Sequence, residues 1–443
     1  MTTTATSESA AIRRLFDRFG FGPTAAELDT AIRAGYDATL ERLLGDAAFG
    51  ADAGAAATPA PNLPLIGRPA KQADPAAKKA SRQQRRAQVL VATAWWLDRM
   101  VAVEHPVVER LTWFWHGHFA TSAQKVRAAS LMLEQNATLR RLGTRSADGL
   151  ARAMLRDPAM LIWLDGAKNT VGSANENLSR EFMELFVLGH GAYAEVDVRE
   201  TARALTGWTL DRKNGTASYR DRRHDDGDKT IFGSTARFDT DSFADLVLVR
   251  PQVAPFVTGR LWFRLVSAGP LSADVSHRLV AAYGKDGDVR AVLRAIAAEP
   301  AFRADDLGLV KQPVEWAVGL MRAVGVRPSR LDTAARRQLG MCLRGMGQVP
   351  FLPPSVGGWP SAGAWLTTAA ATARVRAARI IAGAADLSEL GRTSRAQRVE
   401  ATRRLLGVSA FSTRTTDALA GSADDPVDLV TAAAVAPEVV VSG

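Results

Sequence analysis

Apolar positions recur at three- and four-residue spacing through most of the chain, the signature of amphipathic helices. That period predicts helices over 11–19, 25–35, 36–44, 83–103 and 106–116, and then over 134–142, 146–156, 174–188, 198–205, 253–266, 274–283, 289–298 and 313–324. Helical patterning rich in Ala and Arg returns from about 375. Strand-like patterning is confined to 217–219 and 230–232, which flank a polar loop and read as the two arms of one small hairpin. The expected class is mainly α, a large multi-helix globular domain with a few short strands.

Between 44 and 83 the periodicity fails. Residues 47–82 are rich in Ala, Pro, Gly and Lys and read as an irregular basic linker in which deletions are tolerated. That break divides the chain into an N-terminal helical segment (1–46), the linker (47–82), a main helical domain with the candidate active centre (83–375), and a C-terminal helical extension packed on it (376–443). No internal repeat is present.

Composition narrows the partners. A chain of 443 residues with 47% hydrophobic content has ample apolar surface for a large core. Its net charge is +10, but the one cationic cluster (Lys71, Lys78, Lys79, Arg82, Arg85 and Arg86) lacks interleaved aromatics that would stack on bases. It reads as a solvated segment entering a helix, so no nucleic-acid partner is expected. No stretch reaches the roughly 18 apolar residues of a membrane span, and the first residues carry no apolar signal core. A cytoplasmic protein without a membrane partner is expected. The lone Cys342 excludes internal disulfides and cysteine-pair metal sites, so any metal has to be held by His, Asp or Glu.

Three segments carry candidate chemistry. In the run 104–119, Pro106 suits the first helical turn and Gly117 suits a C-terminal cap, which ends the helix at His116. Residues two apart on a continuous helix project about 200° from one another, so a glycine turn is what would let His116 and His118 share an ion. Glu109, Thr112 and His116 then share one face. In 173–189, Ser173 and Glu176 fit a capping box and Gly189 a C-terminal cap, while Asn177, Arg180, Glu181 and Glu184 form a polar stripe on an otherwise apolar helix. Two glutamates one turn apart chelate a metal or act as acid and base. In 222–233, His224 and Asp225 sit in a polar loop before a short strand, and the acids there lack the spacing of a calcium loop. Two further segments frame a cavity: a helix start with Lys311 and Glu315 at i,i+4, and the Pro/Gly-rich loop 346–360 with Trp359.

The stretches RFGFGPT, HPVVERLTWFWHGHFATS, RDPAMLIWLD, NENLSREFMELFVLGHGAYAEVDVRETARALTGWT, RHDDGDKTIFG, LVKQPVEW and MGQVPFLPPSVGGWP together resemble the bacterial domain-of-unknown-function family numbered 1800, over about 18–365. The resemblance implies a helical fold, and for many similar proteins export and a sulfatase-like partner encoded alongside. This chain departs by lacking a signal sequence, which points to a cytoplasmic, biosynthetic branch working without that partner. Gly117 also stands where the family usually has asparagine. The inclusion of His224 in the site rests mainly on this resemblance.

The residue types point to a metal-dependent enzyme. His116, His118, His224, Glu181 and Glu184 are its candidate ligands, and Glu181, Glu184, Arg180 and Lys311 its candidate catalytic side chains. The imidazole–carboxylate mixture favours iron or manganese, with copper or zinc as further candidates, and an oxygen-using oxidoreductase acting on a small-molecule or peptide substrate. The alternatives are a hydrolase or group transferase, either zinc-dependent or metal-free with a glutamate and a histidine as acid and base. In the metal-free version Arg180, Lys229 and Lys311 hold an anionic substrate. A third reading is a non-enzymatic protein that engages a partner through the basic segment and the Pro-rich loop.

Overall fold

Most helices form where the apolar period places them, and their ends are set by caps that the period alone does not show. The computed structural model describes residues 2–67, 69, 72–211, 213–304 and 308–442, with side chains from residue 8 onward. It is 63% helical with short antiparallel strand pairs, a large, mainly α-helical globular domain. The helix Pro75–Ala102 begins well before 83 because Asp74 accepts a hydrogen bond from the Ala76 amide and Pro75 occupies the first turn. The basic residues from Lys78 to Arg86 therefore lie on that helix, while Arg68 and Lys71 fall outside the described residues.

The preceding segment is not a free connection. Leu63 and Leu65 pack against the core, and Gln88 and Arg85 donate to the carbonyls of Pro64 (2.8 Å) and Gly67 (2.7 Å). A short helix, Ala53–Ala56, is capped by Asp52, and Arg99 donates to the carbonyls of Ala55 and Thr58. Backbone carbonyls facing long side chains hold the linker along the helix it precedes.

The single hairpin expected from 217–219 and 230–232 is two hairpins. Ala217–Tyr219 pairs with Trp208–Leu210, and Lys229–Ile231 pairs with Ser234–Ala236, each with a nearer neighbour in sequence. A third pair joins Leu309–Val310 to Val441–Ser442, and Arg18 donates to the Ser442 carbonyl at 2.7 Å. Helix Thr368–Gly383 runs through position 375 without a break.

Buried apolar residues form two clusters. One gathers the first helices with Trp115, Phe119, Phe182, Phe186 and Leu261; the other gathers Trp96, Trp113, Trp316, Phe351, Trp359 and Ile381. The helix Val107–His118 lies between them, sending Leu111 and Trp115 into the first and Trp113 into the second. Apolar on most sides, it supports both cores.

Candidate functional site

Gly117 does not end its helix, which continues through His118 to a cap at Phe119. The two histidines consequently project to opposite sides, as residues two apart must. His116 lies among Trp96, Trp113, Phe351 and Trp359, and its Nε2 accepts from the Phe351 amide at 3.0 Å. His118 lies among Trp115, Phe119, Phe186 and Phe256, and its Nε2 donates to the Phe186 carbonyl at 2.9 Å. Burial pushes both imidazole pKa values down to about 3, helped at His118 by the charges of Arg260 and Arg264. Both rings are neutral at physiological pH. Glu109 does not support His116; it is clamped by Arg99, Arg140 and the Trp96 indole.

The carboxylate helix starts at Asn177 rather than at the expected cap: Glu176 precedes it without a side-chain capping bond, and Phe182–Val187 widens into a π-helix. Such a turn changes which side chains share a face. Glu184 accepts from the Tyr193 hydroxyl and lies 3.0 Å from Nδ1 of the exposed His190. Burial, then the neighbouring Glu184 charge, raises the Glu181 pKa. Arg180 points elsewhere, bound to Glu195 and Glu176.

The remaining candidates stand apart. His224 Nδ1 lies 3.1 Å from the Thr206 hydroxyl and its ring faces Tyr219. Asp225 is held by Arg203, and the buried Lys229 ammonium caps the carbonyls of Asp225 and Gly227, which fixes the polar loop as structure. Lys311 is half-buried and pairs with the buried Asp17 at 2.8 Å, tying the first helix to the strand that ends at Val310. Among the described residues, no group of three or more His, Cys, Asp or Glu side chains is placed to hold a metal ion.

A different set of residues converges on a cavity of about 740 Å³. Among the described residues its cationic lining is Arg85, Lys125, Arg127, Lys168, Lys213 and Arg223, against the single carboxylate of Asp165. Leu131, Leu161, Ile162 and Leu210 supply apolar wall, and Leu65–Gly67 of the linker closes one side. Four of the stretches quoted above meet or end beside it: Leu161, Ile162 and Asp165 come from RDPAMLIWLD, Thr209 from the end of ALTGWT, Arg223 from the start of RHDDGDKTIFG, and Lys125 follows HFATS.

The local backbone is specialised there. Arg127 and Asp165 both adopt positive φ (57° and 59°), a conformation that costs a non-glycine residue about 1 kcal/mol or more. Lys125 links the two turns, donating to Asp165 Oδ2 at 2.6 Å and to the Trp163 carbonyl at 2.7 Å. Burial alone would raise the Asp165 pKa, but hydrogen bonds from Lys125 and Lys168 hold it below the usual carboxylate range. Opposite, Gly215 (φ 80°) turns the Trp208–Tyr219 hairpin so closely onto Leu131 that a Cβ there would lie 2.8 Å from Leu131 Cδ2. The site leaves no motif in the sequence, because its cations come from separate elements with no common spacing. Only the basic charge and the linker's lysine and arginine content hinted at it.

A family model described as a protein of unknown function, DUF1800, matches residues 14–441. No curated protein and no solved structure matches the chain.

Proposed function

The chain belongs to the DUF1800 family of proteins of unknown function, and we propose that it binds a small amphipathic anion in the cleft between the linker, the Lys125–Arg127 turn and the Trp208–Tyr219 hairpin. The observation that carries this reading is the cleft's lining: among the described residues, six cations face one carboxylate around a cavity of about 740 Å³ with apolar walls. That volume lies in the range typical of small-molecule sites. Lys125 and Lys168 are already paired with Asp165 and Arg85 is bound to the Gly67 carbonyl, which leaves Arg127, Lys213 and Arg223 to meet a carboxylate, sulfonate or phosphate head. The leucine and isoleucine side chains cover the apolar body.

Calorimetric titration with octyl phosphate, octanol and octylamine tests it. Octyl phosphate should bind, the neutral and cationic analogues should not, and Lys213→Ser with Arg223→Ser should weaken binding about tenfold or more. Equal binding of all three, or none, would overturn the reading.

Metal-dependent oxidoreduction draws no support from the arrangement, since the candidate ligands face different cores and loops. A second reading, acid–base group transfer, is favoured by Glu184, whose carboxylate is shared by Tyr193 and His190 beside Glu181. Turnover of nitrophenyl esters or phosphates that vanishes in Glu184→Gln would support it; turnover unaffected by that change would remove it.

A further inference from the structure

Arg260 and Arg264 lie one turn apart on the helix Val253–Leu265, on the stripe that begins with Phe256. Both are only partly exposed. Arg260 makes no hydrogen bond or ion pair with any described residue, and its Nε is buried without a partner. Among the described residues Arg264 makes one hydrogen bond, from Nη2 to the Trp359 carbonyl at 3.2 Å. The nearby Glu315 carboxylate is committed to Arg110. Two guanidinium groups largely withdrawn from water without a carboxylate between them are costly, and an anion is what would relieve that cost.

His118 adds the second, independent feature. It is 3% exposed, its ring contacts Phe256 on the same helix, and its Nδ1 is buried without a partner. Because the Phe186 carbonyl can only accept, Nε2 carries the proton and the neutral ring presents Nδ1 as a lone pair. The close approach is built into the chain: Gly189 (φ 86°) follows the π-helix, and a Cβ there would come within 3.0 Å of the Phe256 ring.

We propose that Arg260, Arg264 and His118 form a site, separate from the cleft, for a small oxyanion that carries a hydroxyl, the chemistry of a protonated phosphate or phosphate monoester. The oxyanion's unprotonated oxygens accept from the two guanidinium groups and its P–OH donates to Nδ1 of His118. Sulfate satisfies the arginines but has no proton to give. Inorganic phosphate and the headgroup of a phosphate monoester share this chemistry.

The test is thermal unfolding of the full chain, in matched ionic strength near pH 6, titrated with inorganic phosphate, with sulfate and with glycerol phosphate, for the wild type, Arg260→Met, Arg264→Met and Lys213→Ser. Phosphate should raise the wild-type midpoint more than sulfate does. Apparent phosphate affinity should fall about tenfold or more in each arginine variant, whereas Lys213→Ser, which weakens the cleft, should keep a phosphate response that exceeds its sulfate response. Without phosphate, Arg260→Met should melt no lower than the wild type, because an unpaired charge has been replaced by an apolar chain. Glycerol phosphate matching or exceeding phosphate assigns the ester as the ligand; a response to phosphate alone assigns the free ion. An identical response to sulfate, an unchanged response in Arg260→Met, or a response lost only in Lys213→Ser would each overturn the site. The last outcome would place the anion in the cleft instead.

Discussion

Replacing Glu109 by Gln isolates the charge at the junction of the two cores. The Glu109 carboxylate is 1% exposed and receives Arg99 Nε at 2.6 Å, Arg140 Nε at 2.6 Å and Nη2 at 2.8 Å, and Trp96 Nε1 at 2.8 Å. Burial alone would raise its pKa, but Arg140 and then Arg99 bring it from 4.5 down to about 2. A folded pKa below the unfolded one contributes stability above the unfolded pKa, and that stability is lost as pH falls toward the folded pKa. The difference corresponds to roughly 3 kcal/mol at pH 7, falling below about half of that by pH 3. Breaking a buried pair by removing one partner costs about 3–5 kcal/mol, the same size. Glutamine keeps the shape and one acceptor, so the charge is the main thing removed. Urea unfolding of wild type and Glu109→Gln at pH 7 and pH 3 reads both values. A variant as stable as the wild type at pH 7, or a gap that stays constant down to pH 3, would refute the electrostatic account.

Three further outcomes follow from the same geometry. Asp157 is buried at a helix start, and burial raises its pKa to about 7 despite hydrogen bonds from the Met160 amide and Gln135. Its contribution is full below the unfolded pKa near 3.8 and declines as pH rises toward 7, so Asp157→Asn should flatten the stability-against-pH curve across that window; an unchanged curve counts against it. Gly215→Ala should destabilise by about 1–2 kcal/mol and weaken octyl phosphate binding, because both the positive φ and the contact with Leu131 are strained; calorimetry with and without ligand checks this. Deleting 62–66 should abolish octyl phosphate binding while Pro75–Ala102 stays folded, a result visible in titration beside circular dichroism, since Leu65–Gly67 walls the cleft. Retained affinity would show the linker to be a passive connection.

The helical class was legible because it rests on local physics: the 3.6-residue period, Pro313 in a first turn, and Gly35 and Gly189 at helix ends are all written in short windows. The residue types in the proposed centre were equally visible, yet their meeting was not. Whether Gly117 ends a helix or passes through it depends on the packing of Trp359 and Gly358 against it, where a Cβ on Gly358 would lie 2.3 Å from the Gly117 carbonyl oxygen. Continuing the helix by two residues turned a histidine pair into two separate core histidines, and a π-helix altered the register of Glu181 and Glu184.

Strand partners, the course of the linker and the meeting of six cations around one cavity were likewise decided by tertiary structure. Each depends on contacts between residues far apart in sequence, such as Gly215 on Leu131 and Lys125 on Asp165. Local pattern determines which segments become helices and which faces turn inward. Burial and long-range pairing decide which charges are neutralised, as with Glu109 and Lys311, and which remain to meet a ligand, because those energies depend on neighbours that no window of sequence contains.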